Sequence, residues 1–121
     1  MGVAKVGYVT ALLDEIIEKK RKGQEELRLH VIEKILAILD RLSGEIAFEE
    51  AYLFGSVTKP FRFSEISDID IGFIGLDDRH FFRVMSCISE ETGCDVDIVQ
   101  LEEHRLADKI KRGGIRWRRK D

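Results

Sequence analysis

The sequence predicts one α/β (α+β) domain, a small sheet with helices packed against it, and three observations carry that prediction. Apolar residues recur at helical intervals through the first forty-odd positions. Three short apolar runs, 51–54, 69–74 and 95–101, have the length of strands and end at glycine or charged residues. Between and after them, 78–91 and 102–111 return to helical spacing. The order helix, helix, strand, turn, strand, helix, strand, helix fits one layered domain, and a chain of 121 residues leaves no room for two ordinary ones. A composition that is 44% apolar and 36% charged describes a globular protein with a heavily charged surface.

Leu12, Leu13, Ile16 and Ile17 mark the first helix. Its apolar face is expected to pack on the domain's own core, with a docking surface as the alternative. Gly23 lies in a charged stretch, 18–26, where a break or bend is expected because a mid-helix glycine costs about 1 kcal/mol relative to alanine. Leu27, Val31, Ile35, Ile38 and Leu42 mark a longer helix, which Ser43-Gly44 ends. Ala51 to Phe54 reads as a strand closed by Gly55-Ser56. A loop with the only proline, Pro60, leads to a second strand, Ile69–Ile74. Phe81, Phe82, Val84, Met85 and Ile88 give the next helix its apolar face. Thr92-Gly93 stops it, and a third strand covers 95–101. A last helix, 102–111, precedes Gly113-Gly114 and a basic tail around Trp117.

Net charge is only −3, so the whole molecule is no general magnet for nucleic acid. The tail, with Lys109, Lys111, Arg112, Arg116, Arg118, Arg119 and Lys120, reads as a mobile solvated end, as a contact for RNA phosphates, or as a contact for an acidic partner. Cys87 and Cys94 are too few for a disulfide framework, and His30, His80 and His104 do not join them at zinc spacing. With no secretory signal and no apolar run of membrane length, the expected compartment is the cytoplasm, with both thiols reduced and no membrane partner.

The chemistry concentrates in the aspartates. Side chains on a strand alternate, so Asp68 and Asp70 share one face while Ile69 and Ile71 take the other, and Asp95 and Asp97 repeat the pattern. Carboxylates gathered on one surface repel unless a cation neutralises them, and an oxygen-only cluster suits Mg²⁺. Gly55 lets backbone N–H groups approach a phosphate, Ser56 adds a donor, and a helix beginning just after would turn its positive end toward the anion. Together these residues point to nucleotide chemistry. Phe61 and Phe63 flank Arg62 in the loop, either as anchors or as cover for an adenine or a partner.

The runs Leu53-Phe54-Gly55-Ser56, Ser67-Asp68-Ile69-Asp70-Ile71 and Val96-Asp97-Ile98-Val99 resemble, in order, the motifs of the minimal nucleotidyltransferases of the DNA polymerase β superfamily. The resemblance covers roughly 27–115. It implies a polymerase-β-like fold, a small mixed sheet flanked by helices, with residues 1–23 as an N-terminal helical extension and 24–121 as the nucleotidyltransferase domain with its basic tail. It implies that Gly55, Ser56 and Lys59 hold the triphosphate of ATP, that Asp68 and Asp70 bind two Mg²⁺ ions, and that Asp97 is the third acidic residue, a metal ligand and catalytic group. Asp95 maps onto no motif position. Lys59 stands where the family usually has arginine and Pro60 where it has glycine, which exchanges a bidentate fork for a point charge and stiffens the turn.

Members of this group are often antitoxins of HEPN/MNT toxin–antitoxin pairs that transfer AMP from ATP to a tyrosine of the HEPN ribonuclease. The resemblance therefore implies a protein adenylyltransferase with a HEPN-type partner. A non-catalytic antitoxin that blocks a ribonuclease by docking, and an RNA-directed nucleotidyltransferase guided by the basic tail, are the alternatives.

Overall fold

The computed structural model describes residues 2–119, with side chains from Val9 onward. Its first element is a single helix, α1 (Gly2–Leu42), unbroken at Gly23. The expected break fails for a local reason. A Cβ built on Gly23 would meet nothing within 4 Å, so nothing packs there to bend the chain. Good helix formers on either side (Glu18 to Lys22, Gln24 to Glu26) carry the helix across the one unfavourable residue. Gly23→Ala should accordingly raise stability by up to about 1 kcal/mol, read as a higher melting temperature with unchanged helix content.

The C-terminal half of α1 supplies the core. Val31, Ile35, Ile38, Leu39 and Leu42 are buried. The N-terminal half does not behave as expected: Val9, Leu12, Leu13, Ile16 and Ile17 are exposed and do not pack on the domain. Every described side chain from Val9 to Lys22 is exposed, and burial begins at Gln24. At 1.5 Å per residue this exposed stretch is about 20 Å long.

After α1 come β1 (Glu50–Phe54), a single 3₁₀ turn (Gly55–Thr58), β2 (Ile69–Ile74), α2 (Phe81–Thr92) entered through a short 3₁₀ turn at Asp78–His80, β3 (Val96–Gln100), α3 (Ala107–Gly113) and β4 (Ile115–Arg118). The sheet runs β3-β2-β1-β4. β1 pairs antiparallel with β2 and β4, while β2 and β3 are parallel and joined through α2, as a parallel pair requires. α1 and α2 cover one face, where Ala51, Leu53, Ile69, Ile71, Phe73, Val96 and Ile98 meet Ile35, Leu39, Val84 and Ile88. α3 covers part of the other, where Tyr52, Leu101 and Ile110 form a smaller cluster. The rest of that second face stays open, and Asp70 and Asp97 lie on it.

The basic tail is corrected to a strand. Ile115 to Arg118 closes the sheet against β1, with Trp117 opposite Ala51 and Arg116 opposite Tyr52. Trp117 is buried, its ring 4.8 Å from Phe48, and its Nε1–H donates to Asp40 Oδ1 at 2.7 Å. Arg116 pairs with Glu50 at 2.6 Å, and Arg119 donates to the Phe48 carbonyl. A reading of this segment as a mobile end is therefore excluded through Arg119; Lys120 and Asp121 lie outside the described residues. Cys87 and Cys94 are free thiols. Among the described residues no helix is long and apolar enough to cross a membrane.

Candidate active site

The site is built where β1 ends. Gly55 follows the strand with φ 76°, a left-handed conformation that only glycine adopts without strain. A second constraint fixes the same residue: a Cβ on Gly55 would come within 3.3 Å of the Asp70 Cγ and closer still to its Oδ2. The glycine bend and the Asp70 carboxylate are thus in contact, because Phe54 and Asp70 are register partners across β1 and β2. Beyond the bend the backbone makes one 3₁₀ turn, closed by Thr58 Oγ1 donating to the Gly55 carbonyl at 2.7 Å and Lys59 N–H to the Ser56 carbonyl at 3.1 Å. A four-residue turn is too short to sum a macrodipole, so the expected helix end is replaced by the turn's own N–H groups and the Ser56 hydroxyl.

Asp70 also has Asp97 as its register partner, across the parallel pair β2 and β3. In-register neighbours on adjacent strands point to the same face, about 4.8 Å apart. Asp68 precedes the strand instead of lying on it, because pairing begins at Ile69, whose N–H donates to the Asp95 carbonyl at 2.8 Å. It remains close enough to act electrostatically. The Asp70 carboxyl is held above the usual carboxylate range first by burial, then by the charge of Asp97, then by that of Asp68.

Asp70 is half-buried, and Asp68 and Asp97 are exposed. Among the described residues no three acidic, histidine or cysteine side chains stand drawn in around a common point. Three like charges converging on one face have that tendency to splay, and a divalent cation would relieve it. The donor set is oxygen only, which fits Mg²⁺ and not a thiophilic metal.

Ser56, Lys59, Pro60 and Arg62 line a cavity of about 490 Å³ beside the turn. Phe63 is fully buried in the core and so anchors the loop, and its ring does not face a nucleotide. Phe61 is exposed at φ 62°, with the Arg21 guanidinium 4.4 Å over its ring. α1 grips the loop at both ends. Glu25 accepts from Phe61 N–H at 3.0 Å and from Arg28 Nε, and Arg28 Nη1 donates to the Val57 carbonyl at 3.2 Å. The Glu25–Arg28 spacing of three is a visible helical pair, but its reach to residues 57 and 61 is not readable from sequence.

Residues 33–121 match the family described as Polymerase beta, Nucleotidyltransferase. The chain belongs to that family of nucleotidyltransferases. The match begins within α1 and leaves the exposed half of the helix outside it. Among solved structures, the chain is similar to one described as a toxin-antitoxin with AMP-PNP, at 25% identity and TM-score 0.54, over 73% of this chain and 71% of that one. It is also similar in fold to a mutant of the toxin-antitoxin MntA-HpeT, at 22% identity and TM-score 0.55, over 68% of this chain and 71% of that one. No curated protein matches the chain.

Proposed function

We propose that this nucleotidyltransferase transfers AMP from ATP to a hydroxyl of a partner protein, as the antitoxin of a HEPN/MNT-type pair. The observation that carries the reading is the placement of Asp70, which touches the Gly55 bend on one side and is in register with Asp97 on the other. That arrangement puts the N–H groups of the glycine turn next to paired carboxylates, which is what in-line displacement at phosphorus needs. The solved toxin-antitoxin structure with AMP-PNP, an ATP analogue, supports adenine nucleotide and a protein partner. The exposed apolar residues of α1, from Val9 to Ile17, leave a surface that a partner protein would cover.

In this reading Asp68, Asp70 and Asp97 hold Mg²⁺, and Gly55, Ser56 and Lys59 hold the triphosphate. Bound Mg²⁺ supplies Lewis-acid stabilisation of the charge that grows on the α-phosphate and the leaving pyrophosphate. The N–H groups of the 55–58 turn and the Ser56 hydroxyl orient the phosphates, and Lys59 adds a positive charge. Asp97, exposed at the rim, accepts the proton of the acceptor hydroxyl. The hydroxyl oxygen attacks the α-phosphorus, the bond to the bridging oxygen breaks, and pyrophosphate leaves with the electron pair. AMP remains esterified to the partner.

Incubation with ATP labelled in the α-phosphate, Mg²⁺ and a HEPN-type ribonuclease from the same genome should label the ribonuclease and lower its RNA cleavage. Inhibition without label would instead favour docking alone. Label on added RNA in place of protein would favour an RNA acceptor.

A further inference from the structure

A polyphosphate held at the 55–58 turn lies beside the Asp70 carboxylate, so its outer phosphates need positive charge close by. Lys59 supplies one charge, as a compact ammonium with no fixed fork. Arg62 lines the same cavity as Ser56 and Lys59, three residues further along the loop. Both cations are exposed, and among the described residues neither side chain has an ion-pair or hydrogen-bond partner. Five other arginines, Arg28, Arg41, Arg79, Arg83 and Arg116, are engaged by carboxylates, so the Arg62 guanidinium is one of those left free to meet an anion.

Arg62 is also held in place although its loop is exposed. Its own N–H donates to the Lys59 carbonyl at 3.1 Å, which ties the two cations into one turn. Phe63, the next residue, is buried in the core. Phe61, the preceding one, keeps a left-handed conformation that a bulky side chain adopts only when its surroundings enforce it. Glu25 on α1, bonded to the Phe61 N–H, is part of that enforcement. A guanidinium carried on a backbone held in this way presents paired N–H donors that match two phosphate oxygens at once.

We infer that Arg62 is a second phosphate-binding cation of this site, gripping the outer phosphates of the nucleoside triphosphate in the cavity that it lines with Ser56 and Lys59. The inference rests on the nucleotide reading above and deepens it, assigning to Arg62 the bidentate contact that Lys59 cannot make.

Calorimetric titration of the full chain with ATP and with AMP, each with Mg²⁺, tests it. Arg62→Ala should weaken ATP binding about tenfold and change AMP binding less than about twofold, since AMP lacks the outer phosphates. Arg62→Lys should recover only part of the loss, because charge returns without the fork. Unchanged thermal melting of both variants would assign the effect to the ligand contact and not to the fold. If the parent binds ATP and Arg62→Ala binds it equally well, this inference is overturned and the nucleotide site stands. A parent that binds no ATP overturns both.

Discussion

Replacing Asp70 by asparagine should abolish nucleotidyl transfer while leaving the fold at least as stable as the parent. Of the three carboxylates, Asp70 is the half-buried one, set between the Gly55 bend and Asp97. Asparagine keeps the shape and one acceptor oxygen but loses the charge that would hold a divalent cation. The expected loss is roughly a thousandfold or more in rate, about 4 kcal/mol of transition-state stabilisation, as for other single groups that meet developing charge. Stability should move the other way in metal-free buffer. Burial and two neighbouring negative charges all oppose the ionised Asp70 side chain, and the amide removes that opposition. Added Mg²⁺ should then raise the melting temperature of the parent and leave the variant unmoved, because only a site that binds in the folded state gains stability by mass action. A variant that keeps its transfer rate would remove Asp70 from the chemistry. One that loses activity through unfolding would fail the melting comparison.

What was legible in the sequence is what short-range pattern encodes. Alternation in Ser67-Asp68-Ile69-Asp70-Ile71 and Asp95-Val96-Asp97-Ile98 separates core from open face, and the isoleucines and valine are indeed buried beneath the acids. The Gly55-Ser56 bend lies where the end of an apolar run placed it, and Gly93 ends α2 as a left-handed cap. Asp68 shows the limit of such reading. Its side shares the pattern, but strand pairing starts one residue later, and only the partner strand sets that boundary.

The other parts depended on surroundings that local pattern does not carry. Gly23 looked like a break because its local cost was visible while its open surroundings were not. Leu12, Leu13, Ile16 and Ile17 carry a helical apolar pattern that says nothing of whether the domain reaches far enough to cover it. The clamp from Glu25 and Arg28 to the phosphate-side loop spans 36 and 29 residues, beyond any periodicity. In Ile115-Arg116-Trp117-Arg118 the period-two alternation spans only four residues of a cationic run, too short to distinguish a strand from a tail. Edge strands often carry such charge on their outward face, which keeps them from pairing with other chains.

The second large effect belongs to that edge strand. Trp117→Ala should destabilise the protein by about 3–5 kcal/mol, the usual cost of deleting a large buried aromatic. The side chain is only 5% exposed, packs on Phe48, and lies opposite Ala51, whose small side chain leaves room for the indole. Phe48 in turn meets Phe73 edge-on at 5.2 Å, so a void at 117 opens against the aromatic centre of the core. For a domain of this size the loss corresponds to a fall in melting temperature of about 10–20 °C. Trp117→Phe separates the two contributions. It keeps most of the apolar bulk and gives up the Nε1–H bond to Asp40, so about 1 kcal/mol is expected. Asp40 is exposed, and water can replace the lost donor. A chain ending at Gly114 should fare worse than either variant, since it also uncovers the backbone groups of β1 that β4 now pairs. Any fall in RNA binding on such a truncation would therefore report damage to the sheet, and a test of the basic residues must neutralise Arg118 in place with Trp117 intact. A Trp117→Ala protein that melts with the parent would mean that β4 is not held in the core, and the mobile-tail reading would return.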